Sequence, residues 1–334
     1  MTDIPLRLSL NLEFTLNVGL KMTRAFVFPG QGSQTVGMGQ ELAGAFPVAK
    51  QVFDEVDEAL GQSLTKLMFE GPEEDLTLTA NAQPALMAVS MAIMRVLETE
   101  GGVSIGEAAK FVAGHSLGEY SALTAAKAFG IADAARILKT RGTAMQEAVP
   151  VGEGTMAALM GVEMDVAEEI AAEAAQGEIC TAANDNASGQ IVLSGATAAI
   201  ERAVEIAAEK GAKRCILLPV SAPFHCAMMA PAADVMADEL AAMLIEEPII
   251  PVVANVTADA QSAPDEIRRL LVEQVTARVR WRESVLFMKE NGVDTFVEIG
   301  AGKVLTGLAR RIDRDLTGIS IQTPADIEEF LKTL

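Results

Sequence analysis

A serine between two glycines stands where a predicted buried strand turns into a helix, and this feature constrains the fold more than any other. Residues 110–114 predict the strand, residues 117–129 predict the helix, and Gly114-His115-Ser116-Leu117-Gly118 joins them. The glycines permit a sharp turn that exposes the serine hydroxyl, and the helix N-terminus offers a backbone N–H to a developing oxyanion. We predict a nucleophilic Ser116 rather than the alternative, a purely structural turn.

Strand and helix patterns alternate along the chain, which is typical of an α/β fold. Residues 24–28 predict a strand that ends at a glycine-rich loop, an apolar helix follows Gln83-Pro84 and runs to about residue 98, and residues 294–299 predict another buried strand. Between residues 152 and 220 the predicted order changes to βαββαβ, with elements over 155–161, 165–175, 178–183, 190–194, 197–210 and 213–220. That order predicts a ferredoxin-like subdomain of residues 152–220, inserted between 22–151 and 221–334 of a larger α/β catalytic subdomain.

The first 21 residues form a separate pattern, because apolar and polar residues alternate from Leu6 to Val18 with a period of two. The segment lacks the basic start, the continuous apolar run and the cleavage site of a secretory signal. We interpret residues 1–21 as an N-terminal extension outside the core, and we expect the protein to keep its activity without them.

Composition excludes several classes of function. The 334 residues carry a formal net charge of −20 and only 4% aromatic residues, whereas a nucleic-acid binder needs a basic surface and stacking aromatics. Three cysteines without a CxxC pair indicate neither a disulfide framework nor a zinc site, which favours a reducing cytoplasm. The longest uncharged stretch, 76–94, contains too many polar residues for a membrane span.

A serine hydroxyl needs a base, and the chain has two histidines. His115 adjoins Ser116, and neighbouring side chains on a sharp turn diverge, so we expect His115 to support the turn or to line the pocket. His225 follows the last strand of the predicted insert, and the order serine then histidine is that of α/β-hydrolase-like enzymes. We therefore predict His225 as the base.

Four motifs in this order resemble the malonyl-CoA:acyl carrier protein transacylase family, acyltransferases of fatty acid and polyketide synthesis. They are Phe28-Pro29-Gly30-Gln31-Gly32-Ser33-Gln34, Gly114-His115-Ser116-Leu117-Gly118-Glu119, Pro223-Phe224-His225 and Val297-Glu298-Ile299-Gly300. The resemblance implies a hydrolase-like parallel-sheet domain with an inserted ferredoxin-like (βαββαβ) subdomain. It also implies an oxyanion hole made by the backbone N–H groups of Gln31 and Leu117.

The resemblance implies further site residues by motif. Arg141 would bind the substrate carboxylate through two parallel hydrogen bonds. The main-chain carbonyl of Gln274 would orient the histidine, and Phe224 would leave no room for an α-methyl branch, which favours malonyl over methylmalonyl. Asn255 and Gln83 match family motifs near the site, while Asn184 and Asn186 would face the cleft unless they are turn residues.

The implied reaction takes malonyl from malonyl-CoA to acyl carrier protein through a malonyl-serine, with no metal and no cofactor beyond CoA as the carrier of the substrate. We expect a cytoplasmic monomer with no nucleic-acid or membrane partner. Acyl carrier proteins are acidic, so a chain at −20 needs basic residues near the cleft, and Lys213 and Arg214 are candidates for docking. The alternatives are a serine hydrolase or thioesterase that uses the same pair, and a catalytically idle docking scaffold.

Overall fold

The structure, a computed structural model, describes residues 23–220 and 222–334. The predicted N-terminal extension, residues 1–21, lies outside the described residues. No helix within the described part of the chain is long and apolar enough to cross a membrane.

The described residues form ten strands and fifteen α-helices. The strands are β1 (Arg24–Phe28), β2 (Phe111–Gly114), β3 (Gly154–Met160), β4 (Cys180–Ala187), β5 (Gln190–Ala196), β6 (Arg214–Leu217), β7 (Val252–Val253), β8 (Ala260–Gln261), β9 (Thr295–Ile299) and β10 (Thr317–Ile321). The helices are α1 (Gln40–Ala45), α2 (Pro47–Leu60), α3 (Leu64–Glu70), α4 (Glu73–Thr77), α5 (Thr79–Thr99), α6 (Ile105–Ala108), α7 (Gly118–Ala125), α8 (Ile131–Glu147), α9 (Met164–Ala175), α10 (Thr197–Glu209), α11 (Ala230–Ala242), α12 (Pro264–Gln274), α13 (Trp281–Glu290), α14 (Val304–Ile312) and α15 (Pro324–Leu331), and a 3₁₀ turn spans Ala227–Met229.

The larger sheet has six strands in the order β10-β9-β1-β2-β7-β8, parallel except for β8. Strands β1 and β2 are neighbours, with Phe28 paired to Gly114 at their carboxyl ends. The glycine-rich loop after β1 and the serine turn after β2 therefore emerge side by side, at the edge where open parallel sheets bind ligands.

Both faces of this sheet are covered, which explains why its central strands are largely apolar. Phe26 and Phe28 of β1 pack in one core together with residues of α5, while Ala25 and Val27 pack in a second core that includes Trp281. All five residues of β1 are buried.

The second sheet has four strands in the order β4-β5-β3-β6, all paired antiparallel. Apolar residues of α9 and α10 pack against it in a core of their own. The strand order and the βαββαβ sequence are those of a ferredoxin-like unit. The prediction of an α/β fold with a parallel sheet and a ferredoxin-like subdomain is confirmed, and β3 through β6 all lie between residues 154 and 217.

Two predicted helix bounds are wrong. Helix α5 begins at Thr79 and contains Pro84, whereas the pattern places its start after the proline. A proline this near the N-terminus removes one backbone hydrogen bond. Twelve residues of α5 after Pro84 are buried apolar or small side chains, and their packing favours the helix. Helix α7 ends at Ala125 rather than near residue 129, and Lys127 takes a positive φ of 67° there.

Two strands of the smaller sheet also differ from prediction. Strand β4 continues to Ala187 through the polar residues 184–186, with register shifts beside Asn184 and Asp185. These residues pair with β5 on one side and with Val279 on the other, so local turn propensity does not decide their conformation. Strand β6 ends at Leu217, although the Leu218 N–H still donates to the Met156 carbonyl of β3 at 2.9 Å.

Candidate active site

The turn after β2 holds Ser116 in a strained backbone conformation, with a φ of 53°. A Cβ on Gly114 would lie 1.9 Å from the carbonyl of Gly118, and a Cβ on Gly118 would lie 2.2 Å from the backbone oxygen of Phe28. Both positions therefore require glycine. The turn packs directly against the end of β1 and presents the Ser116 hydroxyl at the carboxyl edge of the sheet.

Asn255, which follows β7, holds this turn from the neighbouring strand. Its Oδ1 accepts a hydrogen bond from the backbone N–H of Ser116 at 2.7 Å, and its Nδ2 donates to the Gly114 carbonyl at 2.7 Å. The side chain is fully buried. Asn255 thus fixes the serine backbone without contacting its hydroxyl.

His225 lies against the serine hydroxyl, with Nε2 2.8 Å from Ser116 Oγ. Its Nδ1 lies 2.9 Å from the Gln274 carbonyl and 3.2 Å from the Ala277 carbonyl. Because carbonyls only accept, Nδ1 carries the proton and Nε2 is left to accept from the serine. The predicted histidine, serine and Gln274 carbonyl are together in one chain of hydrogen bonds.

Burial lowers the pKa of His225 to about 3, and the nearby Arg141 cation lowers it as well, against the backbone hydrogen bond to Gln274. The imidazole is therefore neutral at pH 7. A neutral imidazole with a free Nε2 lone pair can take the proton of Ser116.

Arg141, on α8, is the buried cation of the site, with 1% of its surface exposed. One Nη donates to Gln83 Oε1 at 2.7 Å, and the other lies 3.0 Å from Gln274 Oε1 and 3.2 Å from Ser116 Oγ. Its Nε has no partner among the described residues. A guanidinium fixed this close to the nucleophile can bind an anionic group attached to the serine.

The two backbone donors predicted for the oxyanion hole follow neighbouring strands, since Gln31 follows β1 and Leu117 comes after Ser116 in the turn that follows β2. Within residues 23–220 and 222–334, neither N–H has a hydrogen-bond acceptor, and both residues line the same cavity. The Gln31 side chain is held by Thr79, whose hydroxyl donates to Gln31 Oε1 at 2.7 Å. Thr79 also accepts from Gln83 at 3.0 Å, so the glycine-rich loop and Arg141 are joined through α5.

A cavity of about 890 Å³ opens over these groups, between the two sheets. Its walls include Gln31, Gln83, His115, Ser116, Leu117, Arg141, Met145, Met156, Asn184, Leu218, Pro219, Val220, Phe224 and His225, with Glu73 and Glu74 among the other lining residues. Met156 and the segment after β6 come from the smaller sheet. The cavity therefore has a polar floor and largely apolar walls.

The remaining predicted residues fall into two groups. Both asparagines lie on strand β4 rather than in a turn. Asn184 lines the cavity, and the Asn186 side chain lies 2.8 Å from His115 Nε2. Lys213 and Arg214 are exposed, outside the cavity wall, at the end of β6 remote from Leu218. Arg214 and Leu218 are four residue steps apart along extended chain, a distance of about 13 Å.

Sequence reasoning assigned no role to Glu119, which the structure puts directly beneath the site with 3% of its surface exposed. Its Oε2 accepts from the Asn255 backbone N–H at 2.9 Å and from Gln274 Nε2 at 2.8 Å. Burial raises its pKa to about 7. The sequence feature that could have identified Glu119 is its place in the first turn of the apolar helix after the serine. A charged side chain on a fully buried helix must have polar partners inside the protein.

Comparison with known proteins gives concordant results. A sequence model described as "Acyl transferase domain" matches residues 25–320. The malonyl CoA-acyl carrier protein transacylase of Bacillus subtilis is 46% identical over 93% of this chain and 96% of its own.

Solved structures agree with this match. The acyl-carrier-protein-S-malonyltransferase of Bartonella henselae superposes with a TM-score of 0.91 at 55% identity, over 93% of this chain and 99% of its own. A malonyl-transacylase solved in complex with its type II PKS acyl-carrier protein gives a TM-score of 0.90 at 43% identity, over 93% of this chain and all (100%) of its own. With the family model covering most of its length, this chain belongs to the acyl transferase domain family and, within it, to the malonyl CoA-acyl carrier protein transacylases.

Proposed function

We propose that this chain transfers a malonyl group from malonyl-CoA to the phosphopantetheine thiol of acyl carrier protein, the transfer that supplies fatty acid biosynthesis. One observation carries the proposal: Ser116 Oγ lies 2.8 Å from a neutral histidine nitrogen and 3.2 Å from a buried guanidinium. The first contact makes the serine a nucleophile. The second suits an acyl group that ends in a carboxylate.

In the first half-reaction His225 Nε2 takes the Ser116 proton as Oγ attacks the thioester carbonyl carbon. The backbone N–H groups of Gln31 and Leu117 stabilise the oxyanion that forms. When the C–S bond breaks, the CoA sulfur leaves as the thiol with the proton held by His225. Malonyl remains on Ser116 as an ester, with its carboxylate on Arg141.

In the second half-reaction the phosphopantetheine thiol gives its proton to His225 and attacks the ester carbonyl. The oxyanion forms at the same two N–H groups. Collapse breaks the bond to Oγ, and His225 returns the proton to Ser116. No step requires a metal or a redox cofactor, since every proton and electron pair has a donor and an acceptor in the site.

Incubation with radiolabelled malonyl-CoA, with and without phosphopantetheinylated carrier protein, tests this function. We expect label on the enzyme without the carrier, and transfer of that label to the carrier when it is added. Release of the label as free malonate at the same rate with and without carrier would instead identify a hydrolase. An enzyme that takes up no label would identify a docking scaffold.

The pH dependence of loading is predicted by the low pKa of His225. An exposed histidine with a pKa of about 6.5 would be neutral in only about one molecule in thirty at pH 5. His225, at about 3, stays neutral there. We therefore expect the single-turnover acylation rate at saturating malonyl-CoA to keep more than half of its pH 7 value at pH 5.

Rapid quenching at each pH measures this rate, and circular dichroism at the same pH checks that the protein remains folded. A decline centred near pH 6.5 in folded protein would contradict the assignment of a depressed pKa to the catalytic base.

Docking of the carrier protein is proposed to use basic residues, with Lys213 and Arg214 as candidates. Both are exposed, and an acidic partner must approach a chain of net charge −20. Reversing both to glutamate is expected to slow transfer to the carrier several-fold at low salt, because exposed charges act mainly on association, and to leave loading from malonyl-CoA unchanged. The rate of transfer to the carrier protein, measured from 25 mM to 300 mM salt, checks this. If the double variant and the unmodified protein have equal rates at low salt, the carrier protein docks at another surface.

A further inference from the structure

Buried carboxylates are few, and two of them lack a direct cation. Among residues 23–220 and 222–334, Glu119, Asp185 and Glu298 are the buried acidic residues. Asp185 pairs with an arginine at 2.8 Å, and Glu298 accepts two backbone N–H bonds and a hydroxyl from α14. Glu119, like Glu298, forms no ion pair within the described residues and accepts only neutral donors, so no direct contact neutralises its charge.

Glu119 is connected to the buried cation Arg141 through one side chain, the carboxamide of Gln274. Gln274 Oε1 accepts from Arg141 at 3.0 Å, while Gln274 Nε2 donates to Glu119 at 2.8 Å. This network therefore holds one cation and one carboxylate joined through Gln274. An incoming carboxylate on Arg141 adds a second anion to this enclosed network.

We propose that Glu119 is the counterion of Arg141 before substrate binds and takes up one proton from solvent when the malonyl carboxylate binds Arg141. This rests on the proposed function, since it requires an acyl group that ends in a carboxylate. Glu119 touches neither substrate nor reacting atoms and acts through Gln274, as a positioning residue. Proton uptake would keep the enclosed charge near zero before and after loading.

The direction follows from elementary electrostatics. Burial already raises the pKa of Glu119 to about 7, so both protonation states are accessible near neutral pH. A second anion within ~10 Å, in a protein interior of effective dielectric constant ~20, favours the protonated state by roughly a further factor of ten. Malonyl-CoA should therefore bind the protonated form more tightly, and its affinity should fall as pH rises above 7.

The other titratable groups around Glu119 do not change charge in this range. Burial raises the pKa of Tyr120 to about 12, and the pKa of His225 is about 3. Burial also lowers the pKa of His115, which is neutral at pH 7. Arg141 keeps its proton. Between pH 6.5 and 9, Glu119 is the group of this network that titrates.

Calorimetry on the full chain carrying Ser116→Ala, which binds without acylation, tests the proposal. We expect uptake of about half a proton per malonyl-CoA at pH 8, from binding heats in buffers of different ionisation enthalpy, and a Kd that rises about fivefold to tenfold between pH 6.5 and 9. Acetyl-CoA carries the same nucleotide and phosphates but no carboxylate. It should show neither effect, and equal proton uptake for the two ligands would overturn the proposal.

A second variant pair assigns the proton. Adding Glu119→Gln should remove the difference between malonyl-CoA and acetyl-CoA, whereas Glu298→Gln, at the other buried carboxylate with a raised pKa, should keep it. A difference that persists in Glu119→Gln would overturn the assignment. If Glu119→Gln does not fold, the comparison of ligands on Ser116→Ala still decides. Failure of the proposed function has a separate signature, because unmodified protein would then take up no malonyl label.

Discussion

Replacing Ser116 by alanine is expected to abolish the covalent malonyl-enzyme and to lower malonyl transfer by at least about 10⁴-fold. Ser116 Oγ is the group that contacts both His225 and Arg141, and alanine removes it while leaving the turn. Both half-reactions pass through the serine ester, so no partial route remains. Acid-quenched protein after incubation with labelled malonyl-CoA, analysed by peptide mass, measures the effect directly.

The same experiment on His225→Ala and on the double variant shows whether the two residues act as a unit. We expect severe loss in His225→Ala, and a double variant no slower than Ser116→Ala alone, because a base without its nucleophile has nothing to deprotonate. Circular dichroism confirms folding of each variant. Malonyl label on any peptide of Ser116→Ala other than the one that contains position 116 would reassign the nucleophile.

The serine turn was predictable from sequence because the glycine spacing that marks it is local. Gly114 and Gly118 lie within five residues of each other, although the contact that requires Gly118 to be glycine is with Phe28 on the neighbouring β1. His225 was predictable by elimination in a chain with two histidines. Neither inference needed knowledge of which strands are neighbours.

Arg141 and Gln274 could be named only through resemblance, because their environment forms across large separations in sequence. The guanidinium meets Gln274 across 133 residues, and Gln274 meets Glu119 across 155. No periodicity or spacing in the chain reports such contacts. The pairing of β4 with β5 is close in sequence, but the bridge from Asn184 to Val279 is again a contact that no local pattern reports.

The role of Glu119 shows what a sequence motif leaves out. The residue belongs to the quoted motif, yet its meaning depends on burial and on the groups that surround it. A glutamate in the first turn of a helix ordinarily favours the helix N-terminus at the surface. Here all eight residues of α7 are buried, so the carboxylate must find its donors in Asn255 and Gln274.

Replacing Arg141 by alanine is expected to lower kcat/KM for malonyl-CoA roughly 30-fold to several thousand-fold. This corresponds to a loss of about 2–5 kcal/mol of transition-state stabilisation, by analogy with broken buried charge pairs. The bound carboxylate would then lie in a buried site with no cation. Acetyl-CoA presents no carboxylate, so its transfer should change far less, and selectivity should fall.

A structural role for Arg141 must be separated from this effect, since alanine also removes the donor to Gln83 and a donor to Gln274. Loss of those bonds would disturb both acyl groups alike, through the His225 and Ser116 positions. Arg141→Lys is the matched control: it keeps the charge, but one ammonium cannot reproduce the planar fork that meets Gln83, Gln274 and a carboxylate together. We therefore expect Arg141→Lys to retain part of the preference for malonyl, and Arg141→Ala to lose it. Steady-state kinetics with both thioesters measure the preference, and equal losses for malonyl-CoA and acetyl-CoA in both variants would show that Arg141 serves the fold and not the substrate.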